Sequence, residues 1–369
     1  AINFLEKPNY KTSIVFAILS ALMINVRILG LILPSIIIIF HIINILRLDK
    51  NKEKNINPLI TFLILFPVFI FLFWPFLWSD PLKNFLFSFK YLGDHILTIH
   101  TFYLGQYIFA TNPPWHYHLV WILVSTPLLY LSLFAIGFIF IFLRTTKRLL
   151  KIEKNDSYID LWRTNRELQD LIFLLTFIIP LIIAVDFKSI SYDGWRHLFF
   201  IYPSLLLISM FGLNLIRIFF FKKKNNYLYI LILALIVPNI YWMYKNHPHQ
   251  NIYFNFLAGK NFNKKFEMDF SGTSNKQALE YIAEKEVKKV KIFNLSTTDL
   301  NLSKNILKNT NRQKISITND INDADYIINN FRDWRGITKP DEFVAPKNFE
   351  IFHEIKIDGI SINTIYKKH

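Results

Sequence analysis

Long apolar segments, separated by short and mostly basic ones, dominate the N-terminal part of the chain. Residues 12–46 are apolar except for four positions: Asn25, Arg27, His41 and Asn44. This segment is too long for one upright spanning helix, which takes about 20 residues, and Arg27 near Gly30 predicts a hairpin of two short helices. Further spans are predicted at residues 58–78, 119–143, 171–187, 198–221 and 227–243. The pattern predicts a polytopic α-helical membrane protein with about seven spans.

The distribution of lysine and arginine predicts the orientation of these spans. Three short connections are basic: Arg47–Lys54, Arg144–Arg148 and Lys222–Lys224. The positive-inside rule assigns them to the cytoplasm. By alternation the other connections lie outside it: the bend at Arg27, residues 79–118, the loop at Asp193 and the tail. Six tryptophans fall near that outer boundary and are typical of interfacial anchors: Trp74, Trp78, Trp115, Trp121, Trp195 and Trp242.

Two connections carry helical patterns of their own. In residues 79–118, Leu82, Phe85, Leu86 and Phe89 recur at helical spacing, which predicts an amphipathic helix on the membrane surface. Residues 151–170 are polar with a few apolar positions, so they predict a surface helix on the cytoplasmic side.

The tail has the composition of a soluble domain and predicts a small α/β fold. Residues 275–287 predict a helix, and strands are predicted at 289–295, 326–328, 349–357 and 360–366. Asp358-Gly359 between the last two is typical of a type I′ hairpin turn. That turn would pair Ile357 with Ile360 and Ile355 with Ile362, with all four on one face. We therefore divide the chain into a membrane region, 1–244, and an extracytoplasmic α/β domain, 245–369.

Composition agrees with a membrane protein. The 369 residues are 52% hydrophobic, and the formal net charge of +15 lies in short loops, so we predict no nucleic-acid partner. The chain has no cysteine, which excludes disulfides and thiolate chemistry.

The segment Ser191–His197 is the strongest candidate site. Asp193, Arg196 and His197 lie within five residues at the boundary of an apolar segment, where ionisable groups are costly and commonly functional. Arginine binds phosphate through two parallel charge-assisted hydrogen bonds, and a lipid head group is the simplest phosphate at a membrane surface. The alternative is structural, with Asp193 capping the helix and Trp195 anchored among head groups.

Other outer-side residues could join this site. Arg27 could be a second phosphate clamp or a residue that snorkels from a helix end. His116 and His118 on a loop, even with His247 and His249, are a weak metal signal, and we predict no metal site.

Four motifs in order resemble one enzyme family. They are Pro113–Tyr117, Tyr192–His197, His247–Asn255 and Asp269–Ser274. The chain, from roughly Ala17 to Tyr366, resembles bacterial members of the dolichyl-phosphate-mannose protein mannosyltransferase family, which have the superfamily C glycosyltransferase fold and are related to the aminoarabinose transferase of lipid A. Asp269-Phe270-Ser271-Gly272 departs from the family's commoner Asp-Tyr-Trp-Gly.

The resemblance implies transfer of a sugar from a polyprenyl-phosphate donor to a protein or glycolipid hydroxyl at the outer face of the bacterial plasma membrane. It implies catalytic roles for Asp193, Arg196 and His197, with Arg27, Trp115, His116 and Tyr117 at the substrate and no cofactor. The family's catalytic base lies after its first transmembrane helix. This chain begins at Ala1 with no equivalent, so we expect an N-terminally truncated sequence without the base.

Two other functions fit the same topology. A transporter or flippase of lipid-linked sugars would use the outer basic cluster but needs ionisable residues deep in several spans. A receptor or assembly protein would act through its tail, and the spans would only anchor it.

Overall fold

The computed structural model describes residues 1–47, 55–90, 98–150, 161–222 and 225–369. The chain divides into two compact units. The helical unit comprises Ala1–His95, Leu129–Ser189 and Leu198–Leu228, and the sheet unit comprises Ile96–Leu128, Ile190–His197 and Tyr229–His369. The sheet unit thus includes residues 96–128, 190–197 and 229–244, which the predicted boundary at residue 244 assigns to the membrane region.

Helices make up most of the chain. They are α1 (Ile2–Glu6), α2 (Tyr10–Val26), α3 (Ile32–Arg47), α4 (Asn57–Phe73), α5 (Pro81–Lys90), α6 (Tyr117–Ser125), α7 (Leu128–Leu150), α8 (Asn165–Asp186), α9 (Tyr202–Phe220), α10 (Asn225–Lys245), α11 (Thr273–Lys285), α12 (Leu300–Asn305) and α13 (Asn309–Lys314). The break predicted at Arg27 is confirmed, because Arg27 adopts an extended backbone between α2 and a 3₁₀ turn that leads into α3, while the hairpin stays a prediction. The amphipathic helix predicted around Leu82–Phe89 is α5, with Leu82 and Leu86 exposed.

Among the described residues, five helical segments are long and apolar enough to cross a membrane. They are Ile28–Leu46, Leu128–Leu150, Asn165–Asp186, Arg196–Phe220 and Asn225–Lys245. Two shorter apolar helices, α2 and α4, lie where further spans were predicted. The chain therefore has the helix content of a membrane protein, while the number of helices that cross stays a prediction.

The span predicted over residues 119–143 has the wrong bounds, because these residues are not one continuous helix and the candidate span is Leu128–Leu150. The chain forms α6 and α7 instead, and Thr126 between them is extended (φ −100°, ψ 136°). Pro127 is the cause, because a proline lacks the amide hydrogen that continues a helix and disfavours helical backbone at the residue before it.

The basic segment Arg144–Arg148 is part of a helix and not a loop. It extends α7, and its arginines pair with acidic residues of α8: Arg144 with Asp170 at 3.1 Å and Arg148 with Glu167 at 2.8 Å. Residues 165–170 of the predicted surface helix belong to α8 itself, whose N-cap is Thr164. Residues 161–164 of the predicted surface helix are not helical, and residues 151–160, with most of the basic loops at Lys50 and Lys223, lie outside the described residues.

Two glycines bring α7 and α9 together in the helical unit. A Cβ atom on Gly137 would lie 2.2 Å from the carbonyl oxygen of Ile208, and one on Gly212 would lie 2.1 Å from that of Leu133. Ser209 donates a hydrogen bond to the Tyr130 carbonyl across the same pair. Small residues let helix backbones approach closely, as is common among helices that pack within membranes.

The described residues of the sheet unit form seven strands. They are β1 (His100–Tyr103), β2 (Gln106–Phe109), β3 (Val290–Asn294), β4 (Ile315–Thr318), β5 (Tyr326–Asn329), β6 (Phe349–Ile357) and β7 (Ile360–Lys368). β1 and β2 form a hairpin, and the others form one sheet in the order β4-β3-β5-β7-β6. β3 is parallel to β4 and β5, whereas β7 is antiparallel to β5 and β6. The predicted C-terminal α/β fold is therefore confirmed.

The hairpin at Asp358-Gly359 is also confirmed. Both residues have positive φ, 48° and 81°, as a type I′ turn requires. Ile357 pairs with Ile360, but Ile355 pairs with Asn363 because the ladder shifts between Ile355 and Lys356. All four isoleucines nevertheless pack into one core: Ile355, Ile357, Ile360 and Ile362.

Candidate functional site

The loop that carries Asp193 is fixed within the sheet unit before the apolar segment begins at Arg196. The Ser191 amide donates to the Ala110 carbonyl at 2.8 Å, and the Ser191 hydroxyl contacts His118 Nε2 at 2.9 Å. Asp193 and Gly194 both have positive φ, 56° and 72°, which turns the chain sharply. The turn directs the Asp193 carboxylate to the interior of the unit, where its side chain is 5% exposed.

Two guanidinium groups share the Asp193 carboxylate. Arg196 Nη2 lies 3.0 Å from Oδ2, and Arg332 Nη1 lies 2.7 Å from Oδ1. Arg332 comes from the segment after β5 and is itself 9% exposed. The tail therefore contributes directly to the structure of the Asp193 loop.

A second buried carboxylate adjoins Arg332. Glu267 Oε1 lies 3.6 Å from Arg332 Nε, and Glu267 Oε2 accepts a hydrogen bond from the Thr101 hydroxyl at 3.1 Å. Burial raises the pKa of Glu267 to about 7, although the positive charge of Arg332 acts to lower it. Burial likewise raises the pKa of Asp193, although both arginines oppose the shift. We call Asp193, Glu267, Arg332 and Thr101 the buried charge cluster.

Arg196 is the exposed member of the site. Its side chain is 39% exposed, whereas its partner Asp193 is almost fully buried. The guanidinium also lies over the Tyr192 ring, 4.7 Å from its centroid. The His197 ring contacts the same tyrosine edge-on, with 4.8 Å between the ring centroids. Because the carboxylate and the ring fix the guanidinium, Arg196 presents an oriented positive charge at the start of an apolar helical segment.

The part of the structural alternative that makes Trp195 a membrane anchor is wrong. Its side chain is 6% exposed, and its indole N–H donates to the Ser125 hydroxyl at 2.8 Å. Trp195 therefore packs inside the sheet unit and is not an anchor among lipid head groups.

The other predicted site residues have different environments. Trp115 is 66% exposed, and His116 Nδ1 contacts the Tyr103 hydroxyl at 2.6 Å. Tyr117 is fully buried, with its ring 4.9 Å from that of Tyr103. Arg27 belongs to the helical unit. The substrate roles of these four residues stay predictions.

The histidines considered as metal ligands contact neighbouring side chains. His118 contacts Ser191, His249 Nε2 contacts Gln277 at 2.9 Å, and His247 Nδ1 contacts Gln250 at 2.8 Å. Nowhere in the described ranges do three His, Asp or Glu side chains form a group that could hold a metal ion.

Asp269, in the motif that departs from the family pattern, organises the start of α11. Its two oxygens accept from the amides of Thr273 and Ser274, both at 3.0 Å, and from the hydroxyls of the same residues. Asn363 on β7 then donates to the Ser274 hydroxyl at 2.9 Å. Asp269 thus has a structural role in capping the helix.

The chain was compared with family models, with curated proteins and with solved structures, and nothing matches it.

Sequence reasoning missed Arg332 and Glu267. A signal for Arg332 was present, because Asn330–Gly336 is a polar segment directly after a buried strand, where side chains commonly form sites. Glu267 carries no such signal, since its partners are far away in the sequence.

Proposed function

We propose that the chain is part of a membrane glycosyltransferase that moves a sugar from a polyprenyl-phosphate donor to a hydroxyl of a protein or glycolipid acceptor. The observation that carries the proposal is the oriented, partly exposed Arg196 guanidinium at the start of an apolar segment of 25 residues. A fixed cation at that position suits a phosphate that stays at the membrane surface while its lipid chain lies in the bilayer.

The chemistry is a displacement at the anomeric carbon. The acceptor oxygen forms a bond to that carbon, and the bond to the donor phosphate oxygen breaks with its electron pair. The hydroxyl proton passes to a general base. Polyprenyl phosphate leaves with more negative charge than it had in the donor, so a pre-oriented arginine stabilises the transition state more than the ground state. In this proposal Arg196 contacts the phosphate, His197 supports it, and Asp193 orients Arg196.

The proposal includes a topology. About seven helices cross a bacterial plasma membrane, and the Asp193 loop and the C-terminal domain lie outside the cytoplasm. The bias of lysine and arginine toward the three short basic connections supports this topology. Trp115, exposed in the same unit as Arg196, is proposed to line the sugar or the lipid together with His116, and the fully buried Tyr117 is proposed to support them.

Turnover of Arg196 variants tests the proposal. With full-length protein and a polyprenyl-phosphate sugar donor in detergent, Arg196→Ala should lower kcat on the order of 10²–10³, by analogy with the loss of one oxyanion donor. Arg196→Lys keeps the charge but loses the planar fork, so it should restore activity only in part. Arg217→Ala, near the other end of the same apolar segment, is the matched control and should change little.

Two results would contradict the assignment. Near-normal turnover of a folded Arg196→Ala protein would remove Arg196 from the reaction. A rise in KM with unchanged kcat would make it a binding residue that treats ground state and transition state alike.

A further inference from the structure

A cleft of about 530 Å³ opens in the sheet unit at the carboxyl ends of β3 and β5. The segments after these two strands, Thr297–Asp299 and Arg332–Trp334, form its walls, and Phe270–Gly272 lies beside them. From the end of β3 the chain continues to β4 at one edge of the sheet, and from the end of β5 it continues to β6 at the other edge. In sheets with parallel strands, ligands commonly bind at such a point. The cleft volume also falls in the usual range for small-molecule sites.

Hydrogen bonds between the walls make the cleft rigid. Asn275 donates to the Thr298 hydroxyl at 2.8 Å, and that hydroxyl donates to Asn330 at 3.1 Å. The Thr297 amide donates to the Arg332 carbonyl at 2.9 Å, and the Trp334 amide donates to the Thr297 hydroxyl at 3.0 Å. A preformed site of this kind loses little conformational entropy when a ligand binds.

The charges around the cleft disfavour an anionic ligand. Among the described residues that line it, Arg332 is the one cation, and its guanidinium already contacts Asp193 and Glu267. The first amides of α11 are taken by Asp269. Asp299 adds a negative charge at the exposed edge.

The remaining groups suit a neutral ligand with many hydroxyls. The exposed indole of Trp334 offers a flat apolar face, and Ser271 and Ser303 offer hydroxyls around it. Asp299 caps α12 with Oδ1, which accepts from the Asn301 amide at 2.8 Å. Because a carboxylate has two oxygens, its second oxygen can accept from a ligand hydroxyl.

We propose that this cleft binds a neutral saccharide. One sugar face stacks on Trp334, and the hydroxyls of the sugar bond to Asp299 and the surrounding serine side chains. If the proposed glycosyltransferase activity is correct, the bound saccharide is part of the acceptor. Arg332 then joins acceptor and donor sites, since it lines the cleft while its guanidinium holds Asp193.

Saturation-transfer NMR on full-length protein in lipid nanodiscs tests the inference without any need for turnover. The probes are the neutral disaccharides mannobiose, cellobiose and chitobiose, with glucose 6-phosphate as the charged probe. At least one neutral disaccharide should bind, and glucose 6-phosphate should not displace it. Trp334→Ala should weaken binding about tenfold, whereas Trp334→Phe should retain most of it. Asp299→Asn, which keeps the cap on α12, should also weaken binding.

The exposed Phe256, outside the cleft, provides the matched control, and Phe256→Ala should leave binding unchanged. The inference fails if no disaccharide binds, if Trp334→Ala binds as well as wild type, or if glucose 6-phosphate binds more tightly than the neutral probes. Saccharide binding with no transferase activity would overturn the proposed function alone. Normal transfer without Trp334-dependent binding would overturn the saccharide site in the cleft and leave the proposed function unaffected.

Discussion

The helical unit and the sheet unit bury different kinds of groups. In the helical unit α7 and α9 meet at Gly137 and Gly212, and apolar side chains such as Met210 stay exposed on the outer faces. In the sheet unit a continuous apolar core lies beneath the sheet, while charged groups are buried in a cluster around Arg332. The first arrangement is suited to lipid, and the second needs every buried charge to have a partner. The stability of the two units should therefore depend on different substitutions.

The largest effect is expected from removal of the cation in the buried charge cluster. Arg332→Ala leaves Asp193 and Glu267 buried close to each other without their shared partner, and should cost about 3–5 kcal/mol of unfolding free energy. Hydrogen exchange should show the loss in peptides of the sheet unit and not in α7 or α9. The exposed Arg312→Ala is the control. The double variant Arg332→Ala with Glu267→Gln should recover part of the lost stability. If Arg332→Ala alone were as stable as wild type, Arg332 would not be the shared partner of the two buried carboxylates.

The helical unit should be most sensitive where its backbones touch. Gly212→Ala places a methyl group against the Leu133 carbonyl, and should destabilise the protein by roughly 1–3 kcal/mol. Thermal unfolding in detergent measures the loss, and Met210→Ala on the exposed face of α9 is its control. Equal melting temperatures for the two variants would mean that α7 and α9 do not pack in this way.

The stability of the sheet unit should also depend on pH. Burial raises the pKa of Glu267 from 4.5 to about 7, so its protonated form stabilises the fold fully below about pH 4.5. That contribution is lost as the pH rises through about 7. Asp193, with its raised pKa, acts in the same direction. The groups that face Glu267 are Arg332, Asp193, Arg196 and Thr101.

Melting curves between pH 4.5 and 8 measure this effect. Glu267→Gln should flatten the decline in stability with pH, whereas the exposed Glu284→Gln should leave it as in wild type. An unchanged slope in Glu267→Gln would show that Glu267 does not titrate in this range.

The smallest effect is expected at the hairpin turn. Gly359→Val should cost about 1 kcal/mol, because its φ of 81° is strained for a residue with a Cβ. No heavy atom lies within 4 Å of the added Cβ, so the cost comes from the backbone alone. Gly359→Asn, which tolerates this conformation, should lose less. Hydrogen exchange across β6 and β7 measures the difference, and equal protection in the two variants would argue against the type I′ turn.

Local pattern predicted most of the elements but few of the contacts in the site. The apolar segments, the amphipathic helix and the Asp358-Gly359 hairpin follow from spacing and turn chemistry within a few residues. The break at Pro127 was also local, yet the strong apolar pattern on both sides concealed it. The shift in pairing at Ile355 and the contact of Arg332 with Asp193 depend on tertiary packing. Those contacts could not be read from periodicity.

The proposed function requires the Asp193 loop and the C-terminal domain to lie outside the cytoplasm, where the donor phosphate is proposed to be. Alkaline phosphatase, which is active only outside the cytoplasm, can be fused after Lys260 and after Lys223. The account predicts activity for the fusion after Lys260 and none for the fusion after Lys223. Activity only after Lys223 would contradict the topology, and with it the proposed transfer at the outer face.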